Sequence, residues 1–209
     1  MLETALIGVT RFLVGGRAYW LGARPNLRQR IYFANHTSNA DTVVLWAALP
    51  PELRARTRPV AAEDYWAHGR LRRRFALGVL NAVLIQRGGG AEAAAPLNEA
   101  LRAGDSLIIF PEGRRGPGPA PLAFKTGLYH LARAFPEAQF VPVWLDNIGR
   151  ALPKGVAFPI PVSASALIGA PVALEAGEDR DAFLARARMA VIELGRSLRP
   201  DLPTEPPDV

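Results

Sequence analysis

The chain has 209 residues, 49% hydrophobic and 21% charged, a balance that fits one well-cored globular domain and excludes wholesale disorder. It contains no cysteine, which excludes disulfides, thiolate chemistry and cysteine-based zinc sites, and its three histidines (His36, His68, His130) form no HExxH arrangement, so no metal is expected. The formal charge of +6 is carried almost wholly by arginine, with Lys125 and Lys154 as the lysines, and suits an anionic partner; arginine and alanine abundance also follows from genome base composition.

Residues 1–24 open with "LETALIGVTRFLVGGRAYWLG", which Glu3, Arg11 and Arg17 interrupt well short of the roughly 18 to 20 apolar residues of a spanning helix. The stretch lacks the cationic opening and small-residue cleavage site of a signal peptide. With Tyr19 and Trp20 beside its arginines, it reads as an amphipathic helix, lying in a membrane interface or packed on the domain. Strands are expected at 28–35, 58–63, 82–87, 106–110, 139–145 and 163–172, and helices at 40–49, 64–81, 91–104, 122–135 and 179–198. The proline-rich tail, 200–209, is expected to be disordered.

Strands alternate with helices, and the strands are near-continuous apolar runs, as expected when helices cover both faces of a sheet. The expected fold class is therefore α/β: a single domain over 25–199 with a mostly parallel or mixed central sheet covered by helices, plus the N-terminal interfacial helical segment.

Three strand ends carry chemistry. In "NHTSNAD" (35–41), His36 and Asp41 would stand about 140° apart on a continuous helix, so they cannot share a helix face. A turn between strand and helix brings them together. Asp41 in the first helical turn could then hold one nitrogen of His36 and stabilise the cation formed when the other takes a proton. The sequence supplies no GxSxG elbow and no cysteine, so the nucleophile would be a substrate hydroxyl. The competing reading is a capping box, with Ser38 as cap and Asp41 reaching back, which needs no catalysis.

The second is "FPEGRRGPGPAPLAFKTG" (110–127), where Glu112, Gly113, Arg114 and Arg115 follow an apolar strand and Lys125 follows the loop. Ligands bind beyond the carboxyl ends of strands in open α/β sheets, and a guanidinium fork there suits phosphate oxygens. A solvated basic loop fits equally. The third is Arg87 in "VLIQRGGG", a cation beside glycines that could cradle phosphate or form a plain turn; nucleotide fingerprints are absent.

Together these blocks resemble those of the glycerolipid acyltransferase family, which includes 1-acylglycerol-3-phosphate acyltransferases. "NHTSNAD" is similar to its NHx4D signature, "FPEGRRG" to FPEGTRS, "VLIQR" to the block between them, "FKTG" to the FKxG that trails the FPEG loop, and "VPV" (141–143) to the later hydrophobic-proline block. The resemblance covers about residues 30–145. It implies acyl transfer from an acyl-CoA or acyl carrier protein thioester to a lysophospholipid hydroxyl, with His36 as general base and Asp41 orienting it. Arg87, Glu112, Gly113 and Arg115 match positions associated with acceptor binding, Lys125 adds a charge, and no metal or prosthetic group is implied. An apolar groove for the acyl chain and an anionic membrane surface as partner are also implied, on the cytoplasmic side, with peripheral or monotopic attachment. Arg114 and Gly116 stand where the family has Thr and Ser, and Ala82 and Leu84 where it has Gly and Phe. These departures leave lysophosphatidic acid as the first acceptor and another lysolipid, such as lyso-ornithine lipid, as an alternative. "RARTR" and "RLRRR" motivate a non-catalytic basic module for membrane or nucleic acid, but no nucleic-acid motif or stacking platform accompanies them, and no nucleic-acid partner is expected.

Overall fold

The computed structural model describes residues 17–38, 40–66, 69–86, 93–147 and 164–206, together with Gly8 and Gly88. Among these residues seven strands form one sheet: β1 (Arg17–Trp20), β2 (Arg30–Ala34), β3 (Thr57–Ala62), β4 (Val83–Ile85), β5 (Ser106–Ile109), β6 (Gln139–Asp146) and β7 (Ser165–Ile168). Their spatial order is β1-β7-β6-β2-β5-β3-β4. The five strands from β6 to β4 are mutually parallel; β7 pairs antiparallel with β6, and β1 pairs parallel with β7. The expected α/β fold with a mostly parallel, mixed sheet is what the chain adopts.

Alternation along the central strands sends side chains to two separate cores. On one face Tyr32, Ile108, Val141 and Val143 pack with Leu45 and Leu49 and with Ala76 and Leu80. These belong to or flank α1 (Asp41–Ala48) and α4 (Arg70–Gly78), while α2 (Pro51–Arg54) adds Leu53. On the other face Ile31, Phe33, Leu107 and Ile109 pack against α5 (Ala95–Arg102), α6 (Gly127–Ala134) and α7 (Arg180–Arg196). β2 is buried at all five positions, which is why its sequence, RIYFA, shows no polar alternation. Its one charged residue, Arg30, is buried against Gln139, the Arg24 carbonyl and the Trp20 ring.

Several expectations are corrected. Arg17–Trp20 is an edge strand rather than part of a helix, because two aromatics and an alternating exposure pattern suit pairing with β7; residues 21–24 follow it without helical structure, and residues 1–7 and 9–16 of the predicted N-terminal helix lie outside the described residues. The helix expected over 64–81 is divided into α3 (Glu63–Trp66) and α4, with Gly69 at φ +101°, a conformation no helix accommodates. The helix expected from 122 begins at Gly127: the N–H of Leu122 goes to Glu112 and that of Lys125 to the Pro111 carbonyl. Residues 200–206 of the tail, expected to be disordered, are instead held on the domain by buried Leu202, whose carbonyl accepts from Arg196, and 207–209 lie outside the described residues. Among the described residues no helix is long and apolar enough to cross a membrane.

Candidate active site

The parallel strands β2 and β5 are neighbours, with Phe33 opposite Ile109, so the segments leaving their carboxyl ends emerge side by side. One begins with Asn35 and His36; the other is the loop from Phe110. Asn35 is buried and continues the sheet with its side chain: Nδ2 donates to the Leu145 carbonyl at 3.1 Å, and Oδ1 accepts from the Leu145 N–H at 2.7 Å. The amide thus satisfies β6 where the β2 backbone turns away.

The turn then brings Asp41 beneath His36. Asp41 is fully buried, and its Oδ2 accepts from His36 Nδ1 at 2.8 Å, from the Thr37 N–H at 2.7 Å and from the Ser38 N–H at 2.8 Å. One oxygen thus makes both the His36 contact and the reach-back to the Ser38 N–H, whereas the helix cap is Ala40 rather than the expected Ser38 and makes no side-chain cap bond. Asp41 Oδ1 has no hydrogen-bond partner among the described residues. Because a carboxylate only accepts, Nδ1 of His36 carries the hydrogen and Nε2 is the basic position. The imidazole, 19% exposed, stacks on Phe110 with ring centroids 4.3 Å apart and planes at 24°. One edge of the ring is held, one face is covered, and the side chain still reaches solvent.

The loop after β5 fixes the His36 backbone on both sides. Glu112 Oε1 accepts the His36 N–H at 2.7 Å, and the Gly116 N–H donates to the His36 carbonyl at 2.8 Å. Glu112 Oε2 accepts the Leu122 N–H at 2.8 Å. Burial pushes the Glu112 carboxyl up to about 7, against the downward pull of the Leu122 and His36 N–H groups. Gly113 has φ +70°, and a Cβ there would lie 2.7 Å from Lys125 Cε, so a side chain would be strained and would displace the lysine. Arg114, Arg115 and Lys125 are exposed, and none has a carboxylate partner among the described residues.

His36, Asp41, Glu112, Gly113, Arg115 and Lys125 are thus brought together at one edge of the sheet, while Arg87 lies outside the described residues. Glu112, which the resemblance associates with acceptor binding, spends both oxygens on backbone N–H groups. Sequence reasoning missed Phe110 as the surface beneath the imidazole, Gly116 as a donor to the His36 carbonyl, and the side-chain pairing of Asn35. An open cavity of about 380 Å³ lies at the β4 edge between α4 and α5, lined by Leu77, Val83 and Ala100 with Arg58, Arg73 and Glu99, and none of the described site residues borders it.

The Acyltransferase family profile matches residues 22–146, which contain every element of this site. The chain belongs to the Acyltransferase family. It is 32% identical over 132 residues to a 1-acyl-sn-glycerol-3-phosphate acyltransferase of Salmonella typhimurium, covering 58% of this chain and 49% of that protein. It is 29% identical over 170 residues to a protein of the same description from Limnanthes alba, covering 74% and 58% respectively. The chain spans about half the length of the curated relatives it matches. Among solved structures it resembles the 1-acyl-sn-glycerophosphate (LPA) acyltransferase PlsC of Thermotoga maritima, with a TM-score of 0.71 at 20% identity, covering 94% of this chain and 80% of that one. That likeness bears on the fold. Residues 147–209 stand outside the matched region.

Proposed function

We propose that this acyltransferase moves a fatty acyl group from an acyl-CoA or acyl carrier protein thioester to the free hydroxyl of lysophosphatidic acid, with His36 as general base. The observation that carries the reading is the single hydrogen bond from His36 Nδ1 to buried Asp41, which leaves Nε2 as the basic nitrogen on a ring that still reaches solvent. Nε2 takes the hydroxyl proton as the oxygen attacks the thioester carbonyl carbon. The Asp41 carboxylate stabilises the imidazolium, and collapse of the tetrahedral adduct breaks the carbon–sulfur bond, the thiolate recovering the proton from Nε2. Arg115 and Lys125, exposed beside the site, are suited to the acceptor phosphate, and Arg87 joins them in this reading. Glu112 and Gly113 serve by shaping the loop. The reaction takes place at a membrane surface, where the acceptor resides.

The names of the relatives favour lysophosphatidic acid over other lysolipids. The test is thiol release from palmitoyl-CoA, with and without lysophosphatidic acid, on wild type and His36→Ala, with lipid products resolved. Acceptor-dependent release yielding phosphatidic acid and lost in His36→Ala is expected. Release with lyso-ornithine lipid but not lysophosphatidic acid moves the assignment to that acceptor; undiminished release in His36→Ala removes His36 as the base.

A further inference from the structure

Arg188 stands on α7, outside the region matched by the family profile and in a stretch with no recognised motif. Its Nε donates to the Pro121 carbonyl at 3.0 Å, its Nη2 to the Thr204 carbonyl, and its Nη1 to Glu205 Oε1 at 3.3 Å. The Pro121 carbonyl belongs to the same peptide unit as the Leu122 N–H. In a trans peptide these two groups point in opposite directions across one rigid plane; the chain has no cis peptide among its described residues. Arg188 therefore holds one edge of a plate whose other edge donates to Glu112 Oε2 at 2.8 Å, and Glu112 Oε1 holds the His36 N–H at 2.7 Å. The arginine side chain is 12% exposed, and a charged donor gives its bond to Pro121 more strength than a neutral one would have.

We propose that Arg188 is a positioning residue for acyl transfer, setting the placement of His36 through the 121–122 peptide and the Glu112 carboxylate. The inference rests on His36 as the base. It gives α7 and the ordered tail a part in the site: Thr204 and Glu205 keep the guanidinium aimed at Pro121. Without Arg188 the peptide can rotate, Glu112 loses its second donor, and the histidine backbone is left with a looser acceptor.

The experiment compares full-length wild type, Arg188→Ala, Arg188→Lys, Arg186→Ala and His36→Ala. Arg186 is the control, because it clasps Glu178 and the Ala173 carbonyl from the same helix without touching the loop. Two readouts are taken: amide hydrogen exchange over 34–38 and 120–124, and thiol release from palmitoyl-CoA with lysophosphatidic acid. Arg188→Ala is expected to exchange faster in both segments and to lose about 10-fold in kcat with both KM values nearly unchanged, the split expected when orientation of a reacting group is disturbed. Arg188→Lys, which keeps a cationic donor for Pro121, is expected to recover part of both, and Arg186→Ala to leave both as in wild type. In a Glu112→Gln background the effect of Arg188→Ala on kcat should largely vanish, since the coupling runs through that carboxylate. Unchanged exchange over 34–38 in Arg188→Ala, or an equal loss of kcat with and without Glu112→Gln, overturns the proposal. If His36→Ala keeps its turnover, the base assignment falls and the positioning role with it. Loss in His36→Ala beside wild-type behaviour in Arg188→Ala removes the positioning role alone.

Discussion

Asp41 holds His36 with the same oxygen that closes the turn between them. Oδ2 accepts the imidazole Nδ1–H and the N–H groups of Thr37 and Ser38, whereas Oδ1 has no partner among the described residues. Under the proposed reaction this asymmetry separates folding from catalysis. In Asp41→Asn the amide oxygen can take the place of Oδ2 and keep all three donors, while the NH2 group occupies the place of Oδ1. What is lost is the negative charge facing the imidazolium. Turnover is expected to fall by about 100-fold to 10,000-fold, with the melting temperature nearly retained. Steady-state kinetics beside a thermal melt check this; a large drop in melting temperature with unchanged turnover of the folded fraction would assign Asp41 to the turn alone.

Glu112 carries a pH dependence whose sign follows from its shift. Its carboxyl is raised from 4.5 to about 7 in the fold, chiefly by burial. Below pH 4.5 both folded and unfolded chains keep the proton and the group costs nothing. Between pH 4.5 and about 7 the unfolded chain releases a proton that the folded chain retains, so stability falls as pH rises, by roughly 3 kcal/mol over the whole window at 1.36 kcal/mol per unit. Glu112→Gln removes that slope. It also sets an amide NH2 against either the His36 or the Leu122 N–H, donor facing donor, at a cost of about 1–3 kcal/mol. Urea unfolding of wild type and variant between pH 5 and 8 compares the two slopes; parallel curves would mean Glu112 does not titrate there.

Much of this was legible in the sequence, for physical reasons. β2, β5 and β6 are short apolar runs because both faces are covered, and such runs announce themselves. The contact of His36 with Asp41 was legible because an imidazole and a carboxylate five apart need a turn to meet, and the strand-to-helix junction supplies one. The strand at 17–20 was not, since four residues are too few to tell a period of two from the 3.6-residue period of a helix. Nor was the loss of helix at 122–126, which depends on acceptors brought in from Glu112 and Pro111 by tertiary structure. Arg188 was hidden for the same reason: it sits 67 positions from Pro121, and nothing local in "ARARMAV" marks one arginine from its neighbour.

Arg115 and Lys125 test how the acceptor is held. Both are exposed beside the His36 loop without a carboxylate to satisfy. Hydrogen bonds to a charged phosphate are worth about 1.5–3 kcal/mol, so Arg115→Ala is expected to raise the KM for lysophosphatidic acid by about 10-fold to 100-fold, with little change in the KM for palmitoyl-CoA. Arg115→Lys keeps charge but not the planar fork and should fall between. An equal rise in both KM values would move Arg115 from the acceptor to a shared electrostatic field.

Asn35 bears on stability more than on chemistry. Its side-chain amide is a one-residue extension of the sheet, donating to and accepting from Leu145 on β6 inside the protein. Asn35→Leu fills similar volume but leaves the Leu145 N–H and carbonyl without these partners, at a cost of about 2–5 kcal/mol for two buried groups. Asn35→Asp keeps the acceptor for the Leu145 N–H and turns its second oxygen against the Leu145 carbonyl, acceptor facing acceptor, with a buried charge added. It should therefore be at least as damaging as leucine despite its closer shape, unless it is protonated. Lowering the pH then lets that oxygen donate to the carbonyl, so Asn35→Asp should recover stability in acid while Asn35→Leu does not. Chemical denaturation of both variants at pH 5 and 8 reads this directly, and identical pH behaviour would show that the Leu145 carbonyl finds another donor.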